Sequence, residues 1–233
     1  MIRYSIIHEK NPREILLLRG NGCRWRRCTF CDYHFDCSTD EEANLLLNRQ
    51  EMAKVTGIYH HLEVINSGSF AELGKATLSE LVELCRQKQI DTLHFECHYL
   101  YRHEIPFWRE EFSKVGTTLK IKTGVESFDY KFRENIFNKG IREKNPAVIA
   151  EYFEECCLLF GITGQTAESM RNDIETGLAH FERVCINIFV ENNTALKPDK
   201  NVISTFITDI MPQYIDNERI DILINNTDFG VGE

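Results

Sequence analysis

Leu18-Arg19-Gly20-Asn21-Gly22-Cys23-Arg24-Trp25-Arg26-Arg27-Cys28-Thr29-Phe30-Cys31-Asp32-Tyr33 carries the end of an apolar run, Glu14 to Arg19, into a loop where cysteines are spaced C-x4-C-x2-C. A short Ile- and Leu-rich run that stops at glycines reads as a buried strand, so the thiols stand on the loop that leaves the first strand. Nine cysteines occur in all, and Cys37 follows the cluster closely. Disulfide frameworks belong to short exported chains, and Met1-Ile2-Arg3-Tyr4 opens no apolar signal region. Thiolate ligation is therefore the better account of Cys23, Cys28 and Cys31. The other five, Cys85, Cys97, Cys156, Cys157 and Cys185, lie in apolar segments and are expected to be core residues.

Working outward from that loop, strands are expected at Leu62-Asn66, Thr92-Cys97, Leu119-Glu126, Cys156-Ile162, Val184-Glu191 and Ile220-Asn225. Helical patterns lie between them. Thr77-Leu78-Ser79-Glu80 reads as a capping box opening a helix with Leu81, Leu84 and Cys85 on one face. Thr166 is expected to cap a helix carrying Met170, Ile174 and Leu178, and Asp199 one carrying Val202, Phe206 and Ile210. Strands alternating with helices imply an α/β fold with a mainly parallel sheet. No repeat, linker or composition break divides the 233 residues, so one domain, residues 1–233, is expected.

Parity within the strands sharpens this. His94, Glu96 and His98 share one face of a strand, Lys120, Lys122 and Glu126 one face of the next, and Asn187 and Glu191 one face of another. Their alternates Leu93, Phe95, Leu119, Ile121, Val125, Ile186, Ile188 and Val190 are apolar. A parallel strand covered on both faces by apolar layers would be apolar throughout, so one face here packs on helices and the other lines a polar space. An antiparallel sheet with one wet face alternates in the same way; the intervening helices speak against it.

The formal charge is -9, which opposes rather than gathers a polyanion, and no apolar run approaches the ~20 residues of a membrane span. A soluble, cytoplasmic protein with a small-molecule substrate, no membrane association and no stable nucleic-acid binding is expected.

Three thiolates on one loop suit three irons of a four-iron four-sulfur (4Fe-4S) cluster, with the fourth iron open to a chelating small molecule. Structural zinc sites and electron-transfer clusters are closed by four protein ligands, and here Cys37 or His34 would be the fourth. With an aromatic residue, Phe30, just before the last cysteine, the loop resembles the signature of the radical S-adenosylmethionine (SAM) superfamily, which has one residue fewer in its first gap. Asn66-Ser67-Gly68-Ser69-Phe70 is similar to that family's glycine-rich turn, Gly124-Val125-Glu126-Ser127-Phe128 to its G-V-Q-S-F stretch, and Gly161-Ile162-Thr163-Gly164-Gln165-Thr166 to G-L-P-x-Q-T. The resemblance spans residues 14 to about 195.

By that resemblance the fold is a partial (β/α)6 barrel of the radical SAM type, with the cluster loop at 20–37 and a short C-terminal extension, about 215–233, that closes it. The resemblance implies Cys23, Cys28 and Cys31 as cluster ligands and the Phe30 backbone at the adenine. It further implies Ser67, Gly68 and Glu96 at the methionyl amine and Glu126 at the ribose. An acidic ligand found in some members at the end of the fifth strand has no counterpart, because Cys156 and Cys157 occupy that stretch. The implied chemistry is one-electron reduction of SAM, with an electron donor such as flavodoxin or ferredoxin, and hydrogen abstraction by the 5'-deoxyadenosyl radical.

In size the chain resembles the queuine lyase subgroup, which implies cleavage of queuine to 7-aminomethyl-7-deazaguanine, a salvage route for the queuosine precursor. A glycyl-radical activase has comparable length, and a non-catalytic four-cysteine metal module is the reading outside the family. For a deazapurine base carrying a diol, His98, Asn187, Glu191, Asn225 and Asp228 are the substrate contacts to look for. Asn192-Asn193, Asn225-Asn226 and Asp228 also suit ordinary turns.

Overall fold

The computed structural model describes residues 1–224. They form a mixed α/β structure of two compact units. One holds Met1–Arg24 and Tyr33–Lys122, the other Trp25–Asp32 and residues 123–224. The cysteine loop and the strand Thr118–Glu126 both pass from one unit to the other. Among the described residues no helix is long and apolar enough to cross a membrane.

In the first unit the strands are β1 (Tyr4–Ile7), β2 (Arg13–Leu18), β3 (His61–Asn66), β4 (Thr92–Glu96) and the first part of β5 (Thr118–Glu126). β2 to β5 pair in parallel in chain order; β1 pairs antiparallel with β2, with Tyr4 opposite Leu16. The crossovers carry helices α1 (Glu41–Met52), α2 (Lys75–Lys88) and α3 (Ile105–Ser113). Leu16, Leu18, Leu62, Val64, Leu93, Phe95, Leu119 and Ile121 share the face expected to pack on helices, and all are buried. Burying each such side chain contributes about 1.5–3 kcal/mol.

The opposite face carries the charges, and Arg13, Glu63 and Lys122 among them are buried too. Glu63 accepts from Arg13 Nε at 2.5 Å and from the Lys122 ammonium, which also lies 3.4 Å from Glu96. The polar face is thus filled at this level by ion pairs that satisfy one another, which is how a charge is kept away from water. On the helix-side face Glu14 is buried beneath β1. Its carboxylate is matched by the N–H groups of Thr56 and Gly57, each at 2.7 Å, and the Tyr4 hydroxyl at 2.6 Å.

The second unit has β6 (Glu155–Phe160), β7 (Arg183–Ile188) and β8 (Ile220–Leu223), parallel and in chain order. Its helices are α4 (Tyr130–Asn135), α5 (Pro146–Ala150), α6 (Ala167–His180) and α7, the helical stretch 200–214, which widens to a π turn at Phe206–Ile210. Thr166 and Asp199 cap α6 and α7 as expected. Cys156, Cys157 and Cys185 are buried here, and Cys85 and Cys97 in the first unit, as their apolar surroundings require.

Two expectations need correction, and one strand was not expected. α2 starts at Lys75 with Gly74 as its cap, so Thr77 lies inside the first turn, where its hydroxyl accepts from Asn48 Nδ2 at 3.2 Å instead of capping. β7 ends at Ile188, so Glu191 and Val190 leave the face parity predicted, and Val190 is 43% exposed. β1 is only four residues long, too short to announce itself although Tyr4, Ile6 and Ile7 suit a strand, and its pairing with β2 is what makes it one.

Candidate active site

In the first unit the cysteine loop is held at its base from α1. Arg19, the first residue after β2, donates its N–H to Asn48 Oδ1 at 2.8 Å, and its carbonyl accepts from Asn48 Nδ2 at 2.9 Å. Asn44, one turn earlier, accepts from Arg19 Nε at 2.7 Å and donates to the Ser38 carbonyl at 2.7 Å. Gly20 and Cys37 form a parallel bridge, which places Cys37 beside Gly22 at the foot of the loop.

The turn after β3 lies against the start of the same loop. Gly68 must be glycine: a Cβ there would sit 2.1 Å from Glu72 Oε2 and 3.2 Å from the Cα of Cys23. Ser67 is buried, and its hydroxyl has no hydrogen-bond partner among the described residues. Glu72 organises this corner. It accepts the N–H of Ser69 at 2.7 Å, that of Arg24, and the Tyr101 hydroxyl at 3.0 Å, while its own carbonyl takes the Asn21 N–H at 3.0 Å. Burial pushes its carboxyl above the ordinary range, against the pull of the Ser69 and Arg24 N–H groups. Glu72 was not singled out from the sequence, although Ser69-x-x-Glu72 is itself a capping-box signature and forms one here.

Glu96 ends β4 half-buried, beside Lys122. His98 follows, donates its N–H to Ser69 Oγ at 2.9 Å, and uses Nδ1 to accept the Leu100 N–H at 3.1 Å, so the ring proton sits on Nε2.

In the second unit residues 25–32 of the loop lie on the segment after α4. Trp25 Nε1 donates to the Asn138 carbonyl at 2.8 Å, Asn138 Nδ2 returns a bond to the Arg27 carbonyl at 2.9 Å, and the Thr29 N–H meets the Phe137 carbonyl at 3.1 Å. Phe30 packs on Phe137, Leu159, Ile162 and Phe189, which anchors the backbone between Cys28 and Cys31. Asn192 Nδ2 donates to the Phe30 carbonyl at 2.7 Å, so this asparagine is a tether as well as a turn residue.

Glu126 closes β5 with φ 65°, a left-handed conformation that costs a non-glycine residue roughly 1–2 kcal/mol. Its carboxylate turns back to Lys139 Nζ at 2.7 Å. Gly124 leaves the space for that pair, because a Cβ there would sit 2.4 Å from Glu126 Oε1 and 2.8 Å from Lys139 Nζ. The next residues are fixed by α6: Asp173 accepts the Ser127 hydroxyl at 2.9 Å and the Phe128 N–H at 2.7 Å, and burial pushes its carboxyl up to about 6.

Asn187 lies half-buried on β7, paired in register with Leu159 and Leu223. Glu191, past the strand end, is exposed and faces Lys197 at 3.3 Å. Asn225, Asp228 and the last part of the closing segment lie outside the described residues.

The donor set fits an iron–sulfur cluster. Cys23, Cys28 and Cys31 are half-exposed thiols on a loop, whereas Cys85, Cys97, Cys156, Cys157 and Cys185 are sealed in the core. Among the described residues no three His, Cys, Asp or Glu side chains form a ready-made group for a single metal ion. A four-iron cluster asks something different, since each thiolate holds its own iron and the sulfurs need not converge on one centre.

A parallel α/β sheet, a three-cysteine loop after its first parallel strand and a tight glycine turn after the next are together the marks of a radical SAM core. A solved structure, queuine lyase from Clostridium spiroforme bound to SAM and queuine, matches with a TM-score of 0.94 and 41% identity, covering 100% of both chains. The chain belongs to the queuine lyase family. Much weaker likenesses are to a sporulation-specific glycosylase from Bacillus subtilis (12% identity, TM-score 0.37, covering 84% of this chain and 72% of that one) and a chitinase from Chromobacterium violaceum (10%, 0.37, 83% and 68%). No protein-family model and no curated protein sequence matches.

Proposed function

We propose that this chain is a radical SAM lyase that cleaves the carbon–nitrogen bond of queuine between the cyclopentenediol and 7-aminomethyl-7-deazaguanine, releasing the latter. The observation that carries the reading is full-length likeness to a queuine lyase in a chain whose cysteine loop keeps the three thiols.

Cys23, Cys28 and Cys31 would hold a 4Fe-4S cluster, and the cluster and SAM, when bound, supply the hydrogen-abstraction chemistry. The remaining work belongs to the chain. Glu72 fixes the turn so that Ser67 presents a buried hydroxyl with no partner among the described residues and Gly68 presents bare backbone to the methionyl end of SAM. Glu96, held by Lys122, supplies a carboxylate for the amine. Phe30 offers backbone to the adenine and Glu126 a carboxylate to the ribose. His98, with a proton on Nε2, and Asn187 supply a donor and mixed donor–acceptor groups for a diol or a deazaguanine edge. The reduced state calls for a one-electron donor of the flavodoxin or ferredoxin kind, and the cytoplasm is where both that donor and free thiols persist.

The test is anaerobic incubation of reconstituted protein with SAM, reductant and queuine, followed by mass analysis. The expected result is 7-aminomethyl-7-deazaguanine together with 5'-deoxyadenosine. SAM cleavage without any base product, across queuine and related deazapurines, would overturn the substrate assignment.

A further inference from the structure

Lys139 belongs to no motif in the sequence, yet its side chain is 12% exposed and its ammonium is held inside the second unit. Three observations converge on it. Nζ lies 2.7 Å from Glu126 Oε1; it stands 5.6 Å from the centre of the Phe30 ring, on the ring face; and the absent side chain of Gly124 is what leaves room for it. Such a buried ammonium needs more than one compensating partner. Burial works against its charge, and the Glu126 carboxylate beside it offsets that cost.

Glu126 by itself has little to fix its direction. It ends a strand in a left-handed conformation that an L-residue leaves unless something retains it. A glutamate carboxylate, with three rotatable bonds, would also sample several rotamers, and a partner that selects one lowers the entropy lost when a ligand is bound.

We propose that Lys139 is a positioning residue that locks the Glu126 carboxylate in the orientation that receives the ribose hydroxyls of SAM, with Gly124 as the space both side chains require. This rests on the reading of Glu126 as a ribose contact. Because one Glu126 oxygen is engaged by Lys139, the other is left as the acceptor toward the nucleoside.

The experiment measures equilibrium binding of S-adenosylhomocysteine and of its 2'-deoxyribose counterpart to the cluster-loaded enzyme, without turnover. The wild type is expected to prefer the ribose ligand by about 10-fold, the size of one hydrogen bond to a charged group. Lys139→Gln and Gly124→Ala are expected to lose that preference, as is Glu126→Ala, and Lys139→Arg to recover it at least in part. Gly124→Ala leaves the lysine in place, so the proposal stays testable if Lys139→Gln fails to fold. Loss of the preference in Glu126→Ala with retention in both Lys139→Gln and Gly124→Ala would overturn the proposal alone. An unchanged preference in Glu126→Ala would overturn the ribose reading on which it stands.

Discussion

Glu72 Oε2 accepts the backbone N–H of Ser69 at 2.7 Å, and the same carboxylate accepts the N–H of Arg24, the residue that follows the first cysteine of the loop. One side chain thereby ties the glycine turn after β3 to the start of the cysteine loop, two backbone segments 45 or more residues apart in sequence that the proposed chemistry needs side by side.

Removing that tie leaves the buried N–H of Ser69 and the part-buried N–H of Arg24 without their acceptor. Glu72→Ala is expected to cost about 2–4 kcal/mol in stability. It should also lower iron retention during reconstitution, and Glu72→Gln, which keeps an acceptor, should lose less of both. Denaturant titration and iron analysis on the same preparations check this; equal stability and iron content in all three proteins would contradict it.

Asn48 makes a second clamp at the base of the same loop. Its amide satisfies both the N–H and the carbonyl of Arg19 from a fully buried position. Asn48→Ala is expected to destabilise by about 2–3 kcal/mol. Asn48→Asp, which turns a carboxylate oxygen onto the Arg19 carbonyl at a fully buried position, should cost at least as much. The readout is the denaturant midpoint at constant slope.

Asp173 gives the fold a pH signature. Burial raises its carboxyl to about 6, outweighing the hydrogen bonds from Phe128 and Ser127 that favour the charge. A raised carboxyl means the folded protein keeps a proton that the unfolded chain has lost between about pH 4 and pH 6, so stability from this group falls as pH rises through that window. Above it the buried charge costs roughly 3 kcal/mol. Asp173→Asn is neutral throughout and keeps an acceptor for the Phe128 N–H. Its stability relative to the wild type should therefore improve on going from about pH 4 to pH 7, as followed by thermal melts at matched ionic strength. A difference that does not change with pH would contradict the assignment.

The strands were legible in the sequence because each is a short apolar run with clear stops, and the charged face because alternation survives burial: Lys122, Glu63 and His94 are covered by ion pairs and neighbours rather than replaced by apolar residues. The cap at Thr77 misled because a capping-box pattern says nothing about a buried partner, and Asn48 claims that hydroxyl. Glu191 misled because alternation ran on past the point where β7 stops. The residues that organise the site, Glu72, Asn44, Asn48 and Lys139, were not legible as such. Their importance lies in partners 13 to 48 positions away, which only the fold brings near. Glu72 alone left a local trace, its spacing from Ser69.

The account stands on three thiols holding the cluster while one iron is left for SAM, with Cys37 outside that set. Low-temperature electron paramagnetic resonance of the reduced, reconstituted protein with and without SAM tests this most directly, in the wild type and in Cys37→Ala and Cys28→Ala. The predicted result is a four-iron signal in both the wild type and Cys37→Ala whose g-values move when SAM is added, and loss of that signal in Cys28→Ala. A signal that disappears in Cys37→Ala, or one that ignores SAM in the wild type, would contradict it.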